Sequence, residues 1–222
     1  MALFGTVHLC WLTGIAGVAI ALSLLCRRKQ AARAVRLVLG YGIAANELVW
    51  WVFRYSHEGI RLTNLPLQLC DLAVWLTVAA CLTANPLIVE MAYFIGVAGP
   101  GMALLTPDLW SPWPSYPAIY FFVAHGAVLI ACIVLPFGKI VEMRPGAAWR
   151  AFGAVAVFAA LVGAFDAITG ANYMYLCRKP ASESLLSFFG PWPVYLGGGL
   201  VSALLLFWLL SLPFRTSASS AG

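Results

Sequence analysis

The stretch PAIYFFVAHGAVLIACIVLPF, from Pro117 to Phe137, contains no Asp, Glu, Lys or Arg and holds one histidine, His125, near its middle. A hydrocarbon core of about 30 Å is crossed by about 20 helical residues at about 1.5 Å of rise each, so this run predicts a transmembrane helix. Six further runs of similar length are charge-poor: Leu3 to Leu25, Ala34 to Phe53, Leu65 to Thr83, Pro86 to Leu105, Trp149 to Gly170 and Trp192 to Phe214. The expected fold is therefore an all-α membrane protein, a bundle of seven transmembrane helices forming one domain over residues 1–214. A short Ser/Ala-rich tail, 215–222, is expected to be disordered in the cytoplasm.

Composition agrees with that pattern. Of 222 residues, 63% are hydrophobic and 9% charged, with a mean hydropathy of +0.91. So little lies between the runs that no separate soluble domain is expected. The net charge of +5 is concentrated at one place: Arg27, Arg28, Lys29, Arg33 and Arg36 follow the first run. A basic cluster beside a helix end orients it toward the cytoplasm, and Lys139, Arg144, Arg150 and Arg215 then fall on the same side. Arg54, Arg61, Arg178 and Lys179 fall opposite, and nine against four predicts an outer N-terminus and a cytoplasmic C-terminus. The first run, with its cations after the apolar stretch, is expected to be a retained anchor. The six cysteines form neither a CxxC pair nor a zinc pattern, so no metal or other cofactor is expected; neither terminus carries a lipidation signal. No nucleic-acid partner is expected, since the basic residues mark topology.

Ionisable groups inside membrane helices are costly and are candidates for function. Counting along the runs places Glu47 ~10 Å from the outer end of the second, Cys70 and Asp71 ~9 to 14 Å into the third, His125 ~12 Å into the fifth and Asp166 ~6 to 9 Å from the outer end of the sixth. These residues fall in one outer slab with Asn46, Gln68 and Asn172, whereas Glu90 falls in the inner half. Gly99-Pro100-Gly101 is expected to interrupt the fourth helix, and Pro191-Trp192-Pro193 with Gly197 to Gly199 to loosen the start of the seventh, in the same layer. Trp110, Trp113 and Tyr116 are expected in the outer aromatic belt. The pattern predicts a shared polar cavity opening outward; the simpler alternative is that each group ties two helices together.

Several chemistries are excluded. No lysine follows Lys179 to form a retinal Schiff base, and the histidines, His8, His57 and His125, form no HExxH motif. They also fall short of the usual paired axial ligands of haem bundles, and no GxSxG elbow is present. Cys70 with His125 survives: an imidazole can take a thiol proton, and a carboxylate, Asp71 or Asp166, can stabilise the imidazolium.

Leu65-Pro66-Leu67-Gln68-Leu69-Cys70, Ala103-Leu104-Leu105-Thr106-Pro107-Asp108, the His125 segment, Asn172-Tyr173-Met174-Tyr175-Leu176 with Lys179-Pro180, and Gly190-Pro191-Trp192-Pro193 occur in that order. Together, from about Tyr41 to Leu210, they resemble the YwaF-like bacterial integral-membrane family. That family is distantly similar to a eukaryotic transmembrane ether-phospholipid acyltransferase. The resemblance implies a multi-pass protein of the bacterial cytoplasmic membrane that acts on a membrane phospholipid or acyl lipid. It implies Cys70 as nucleophile and His125 as proton shuttle; the polar layer adds Asp71 and Asp166 as assisting acids and Glu47, Asn46, Gln68, Asn172 and Tyr173 at the substrate. Two rival expectations use the same polar layer: a transporter or channel with a substrate or proton site, and a membrane protein that binds a ligand without reaction.

Overall fold

The computed structural model describes residues 2–109, 111–179 and 188–215. Trp110, Pro180 and the tail 216–222 lie outside these described residues. Seven α-helices follow one another: α1 (Thr6–Cys26), α2 (Lys29–Glu58), α3 (Leu69–Thr83), α4 (Pro86–Leu105), α5 (Tyr116–Phe137), α6 (Ala147–Thr169) and α7 (Val194–Arg215), with a 3-10 turn at Tyr173–Tyr175 before α7. Among the described residues there is no strand. By length and hydropathy, α1, α4, α5, α6 and α7 can each cross a membrane, and the chain is a multi-pass membrane protein.

Local chemistry sets the helix ends. Asn85 caps α4 by accepting from Leu87 N at 3.0 Å and Ile88 N at 3.4 Å, and Pro86 occupies the first turn, where no N–H is needed. Ser115 caps α5 from the N–H of Ala118. Gly146 and Gly170 bracket α6 in the left-handed region, at φ 78° and 74°, a conformation that side chains disfavour.

Three boundaries differ from expectation. Helix α3 begins at Leu69 and has 15 residues, because Pro66 biases Leu65 away from helical dihedrals and Leu67 N bonds the Leu65 carbonyl in a tight turn. Helix α2 begins at Lys29 and has 30 residues, so Arg33 and Arg36 belong to a helix and not to the first loop. Helix α4 runs unbroken through Gly99-Pro100-Gly101; a proline removes only its own bond to the preceding turn, and the rest of the ladder survives.

The chain divides into two compact units, one made of Met1–Gly59 with Cys70–Arg144 and the other of Ile60–Leu69 with Pro145–Gly222. In the first, α5 packs against α1, α2 and α4, and its core includes Ile15, Ala19, Leu104, Phe121, Phe122 and Val134. Lipid tails are as apolar as these side chains, so close backbone approach and interhelical hydrogen bonds must hold the helices together. Gly96 supplies the approach of α4 to α5: a Cβ there would collide with Cys132 Sγ. The bonds are specific. His8, fully buried, accepts from Phe4 N at Nδ1 and pairs through Nε2 with the Leu104 carbonyl at 2.7 Å, joining the start of α1 to the end of α4. Arg36 bonds the carbonyls of Cys81 and Leu82, joining the start of α2 to the end of α3. Gly138, just past α5, lies against Ser23 and Cys26 at the end of α1. Successive helices of this unit therefore alternate in direction, and Cys70 and the start of α5 fall at one end.

In the second unit α6 packs against α7. Val162, Phe158 and Phe165 of α6 gather Ala171 and Tyr173 with Leu65 and Leu67 of the segment before α3.

Candidate functional site

Cys70 is the second residue of α3, half-buried, with Asp71 next to it. The late start of α3 moves this thiol from mid-helix, where counting places it, to the first turn. There the aligned backbone dipoles favour an anion. The charges of Asp71 and Glu47 both act on Cys70.

His125 stands two turns into α5, half-buried. Its Nδ1 lies 2.8 Å from the Phe121 carbonyl, and the Phe121 ring packs at 4.3 Å between centroids. A carbonyl only accepts, so Nδ1 carries the proton and Nε2 keeps its lone pair. The ring is therefore fixed in the tautomer of a base, and the orienting acceptor at Nδ1 is backbone. Among the described residues no hydrogen bond joins His125 to Cys70.

Glu47, in the middle of α2, is 1% exposed. Tyr120 Oη donates to its Oε2 at 2.5 Å, and Trp50 holds the phenol by stacking on it, with centroids 4.2 Å apart and planes 10° apart. Tyr120, four residues into α5, is a group that sequence inspection missed. A buried phenol needs an acceptor, and this tyrosine on an otherwise apolar helix face was the available signal. The indole of Trp51 also acts on the Glu47 carboxylate. Oε1 of Glu47 is buried with no partner among the described residues. Asn46 is half-buried beside it. In the first unit Glu47 and Asp71 both act electrostatically on Cys70 and on Tyr120.

The other residues singled out from the sequence belong to the second unit. Tyr173 is buried, and its Oη accepts from Leu65 N at 2.6 Å and donates to the Leu62 carbonyl at 2.8 Å. Gln68 Oε1 accepts from Met174 N at 2.9 Å. Asn172 Oδ1 accepts from the N–H groups of Cys177 and Arg178, while its Nδ2 donates to the Arg178 carbonyl. Together these bonds fix the segment that leads into Cys70, next to a turn where Met174 and Tyr175 take φ of 52° and 56°, strained for non-glycine residues. Asp166, in the last turn of α6, is 1% exposed, and among the described residues neither carboxylate oxygen has a partner. Glu90, the acid of the inner half, is paired with Arg144. Among the described residues no group of three His, Cys, Asp or Glu side chains could hold a metal ion.

The arrangement offers a thiol at a helix start, a histidine presenting a basic nitrogen and a buried carboxylate with one open oxygen. Compared with known proteins, the sequence matches the TMEM164 family over residues 3–212. No curated protein and no solved structure matches it.

Proposed function

Because the chain belongs to the TMEM164 family, a family of transmembrane proteins, we propose that it is a membrane-embedded lipid acyltransferase or acyl hydrolase working through Cys70 and His125. One observation carries the proposal: His125 donates from Nδ1 to the Phe121 carbonyl, which leaves Nε2 as a base in the half of the unit that holds Cys70.

In this proposal Nε2 takes the Cys70 proton and the sulfur attacks the carbonyl carbon of an acyl ester. A C–S bond forms, the ester C–O bond breaks, and the leaving alkoxide takes the proton back from the imidazolium. The second half reverses the roles: a lipid hydroxyl, or water in the hydrolase, gives its proton to Nε2 and attacks the thioester, and Cys70 departs as a thiolate. Asp71 is proposed to stabilise the imidazolium by charge. Glu47 and Asn46 are proposed to meet the substrate, and Gln68, Asn172 and Tyr173 to serve binding by fixing residues 60–69. The proposal includes seven spans, an outer N-terminus and a site in the outer leaflet of a bacterial cytoplasmic membrane. It also includes a place in the YwaF-like branch and a phospholipid or acyl lipid as partner.

The test uses the full chain in lipid nanodiscs with a p-nitrophenyl acyl ester. The expected result is a burst of nitrophenol and a hydroxylamine-labile acyl adduct on Cys70 by mass spectrometry. Absence of both in folded protein overturns the covalent mechanism.

A second reading, transport of a proton or cationic substrate, draws on the two unpartnered oxygens of Asp166. Proton flux into liposomes that disappears in Asp166→Asn is its expected signature.

A further inference from the structure

A buried carboxylate oxygen without a hydrogen bond costs free energy that a fold avoids unless something fills the vacancy in use. At Glu47 that oxygen is defined. The Tyr120 phenol engages Oε2 at 2.5 Å, the Trp50 ring fixes the phenol, and the backbone of α2 fixes the other end of the side chain. Oε1 is consequently held in one direction, buried and with no hydrogen-bond partner among the described residues. The same carboxylate acts electrostatically on Cys70, so the open acceptor and the thiol share one neighbourhood within the first unit. Asp71 is the other acid acting on Cys70, and Arg54 is the cation that acts on Glu47.

An anionic acceptor selects a ligand by a donor it carries. In the acyl transfer proposed above, the acyl donor offers ester oxygens, which only accept. The acyl acceptor carries a hydroxyl, which donates. We propose that Glu47 Oε1 is the binding group for the hydroxyl of the lipid acyl acceptor, and that Tyr120 is the positioning residue that holds it for that purpose. This rests on the acyl-transfer reading of Cys70. The hydroxyl donates to Oε1 while its oxygen faces the thioester. When it attacks, the new C–O bond forms, the C–S bond breaks, the proton passes to His125 Nε2 and Cys70 leaves as thiolate. Glu47 therefore belongs to the second half-reaction and has no part in forming the acyl-enzyme.

The experiment separates the two halves on the full chain in nanodiscs. A p-nitrophenyl acyl ester loads Cys70, and a lysophospholipid with a free glycerol hydroxyl is titrated as acceptor, with its deoxy analogue as competitor. The expected result for Glu47→Gln is an acyl adduct that still forms on Cys70 and an acceptor KM raised about ten-fold or more. Wild type should prefer the hydroxyl lipid over the deoxy analogue, a preference lost in the variant, because a site built to pair a hydroxyl discriminates strongly against its absence. Tyr120→Phe should show the same pattern more weakly, with kcat less affected than KM. The burst amplitude counts folded, competent protein in each sample, so misfolding is not mistaken for weak binding. A normal burst with unchanged acceptor KM and unchanged hydroxyl preference in Glu47→Gln overturns this assignment alone. Loss of the burst in that variant also overturns it, since the carboxylate then acts in the first half-reaction. No burst in wild type overturns the acyl-enzyme and this assignment together.

Discussion

Arg144 reaches Glu90 through Nε at 2.7 Å and Nη2 at 3.1 Å, and its own backbone N–H adds a third bond at 3.2 Å to the same carboxylate. The Glu90 side chain has no solvent exposure, whereas Arg144 keeps half of its side-chain surface open. The acid is therefore the committed partner, and removing the arginine strips a buried charge in α4 of both guanidinium bonds.

The first prediction follows from that asymmetry. Arg144→Ala should lower the melting temperature of the detergent-solubilised protein more than the double variant Glu90→Gln with Arg144→Ala. Arg144→Lys should recover only part of the loss, since an ammonium cannot make the paired bonds of the guanidinium fork. Equal melting temperatures for the single and double variants would show that the pair does not hold α4 to the segment after α5.

How far the sequence foretold this molecule can be judged residue by residue. The Pro86 to Leu105 run is helix α4 to the residue, with a capping asparagine and a first-turn proline at its start, although Gly99-Pro100-Gly101 does not interrupt it as expected. The runs around Cys70 mislead for a physical reason. Hydropathy scores Leu65-Pro66-Leu67 as membrane, but the proline turns the chain there, so Cys70 lies in the first turn of α3 and not deeper in the helix. The acidic groups were legible because charge within an apolar run is conspicuous. Their partners were not: Tyr120, Arg144 and the Phe121 carbonyl meet Glu47, Glu90 and His125 only through tertiary packing, and no local pattern announces those pairings.

His8 and His125 differ in a way that thermal denaturation can detect. Both ring nitrogens of His8 are satisfied, by Phe4 N–H and by the Leu104 carbonyl, with the ring fully buried. His8→Ala should destabilise the protein by about 1–3 kcal/mol, the range for leaving buried backbone groups unpaired, while leaving the Cys70 burst per folded molecule intact. His125→Ala should cost less stability and abolish the burst. The opposite pattern would make His8 the functional ring.

Orientation is testable by thiol accessibility, in a background where the exposed Cys10 and Cys177 are replaced by Ala. Ser56 is exposed at the end of α2 and Glu142 is exposed after α5. Ser56→Cys should react with an impermeant maleimide on intact cells, and Glu142→Cys only after permeabilisation. Labelling of Glu142→Cys on intact cells, with Ser56→Cys protected, would reverse the topology that the basic residues predict and move the Cys70 site to the inner leaflet.

The final prediction concerns the pair at the centre of the proposed chemistry. Cys70→Ala removes one sulfur from a half-buried position in the first turn of α3, so its melting temperature should remain close to that of wild type. Acyl transfer should nevertheless fall by about a thousand-fold or more, as when a nucleophile is removed from a concerted catalytic unit. His125→Ala should lower it by about 10²- to 10⁴-fold, the usual contribution of a positioned base. If the two act together, the double variant should be scarcely worse than Cys70→Ala, because a base has nothing to deprotonate once the thiol is gone. Steady-state transfer to a lysophospholipid, measured per folded molecule, distinguishes the cases. Multiplied losses in the double variant would mean that the histidine acts independently of the cysteine, and full transfer by Cys70→Ala would rule out a thioester on this residue.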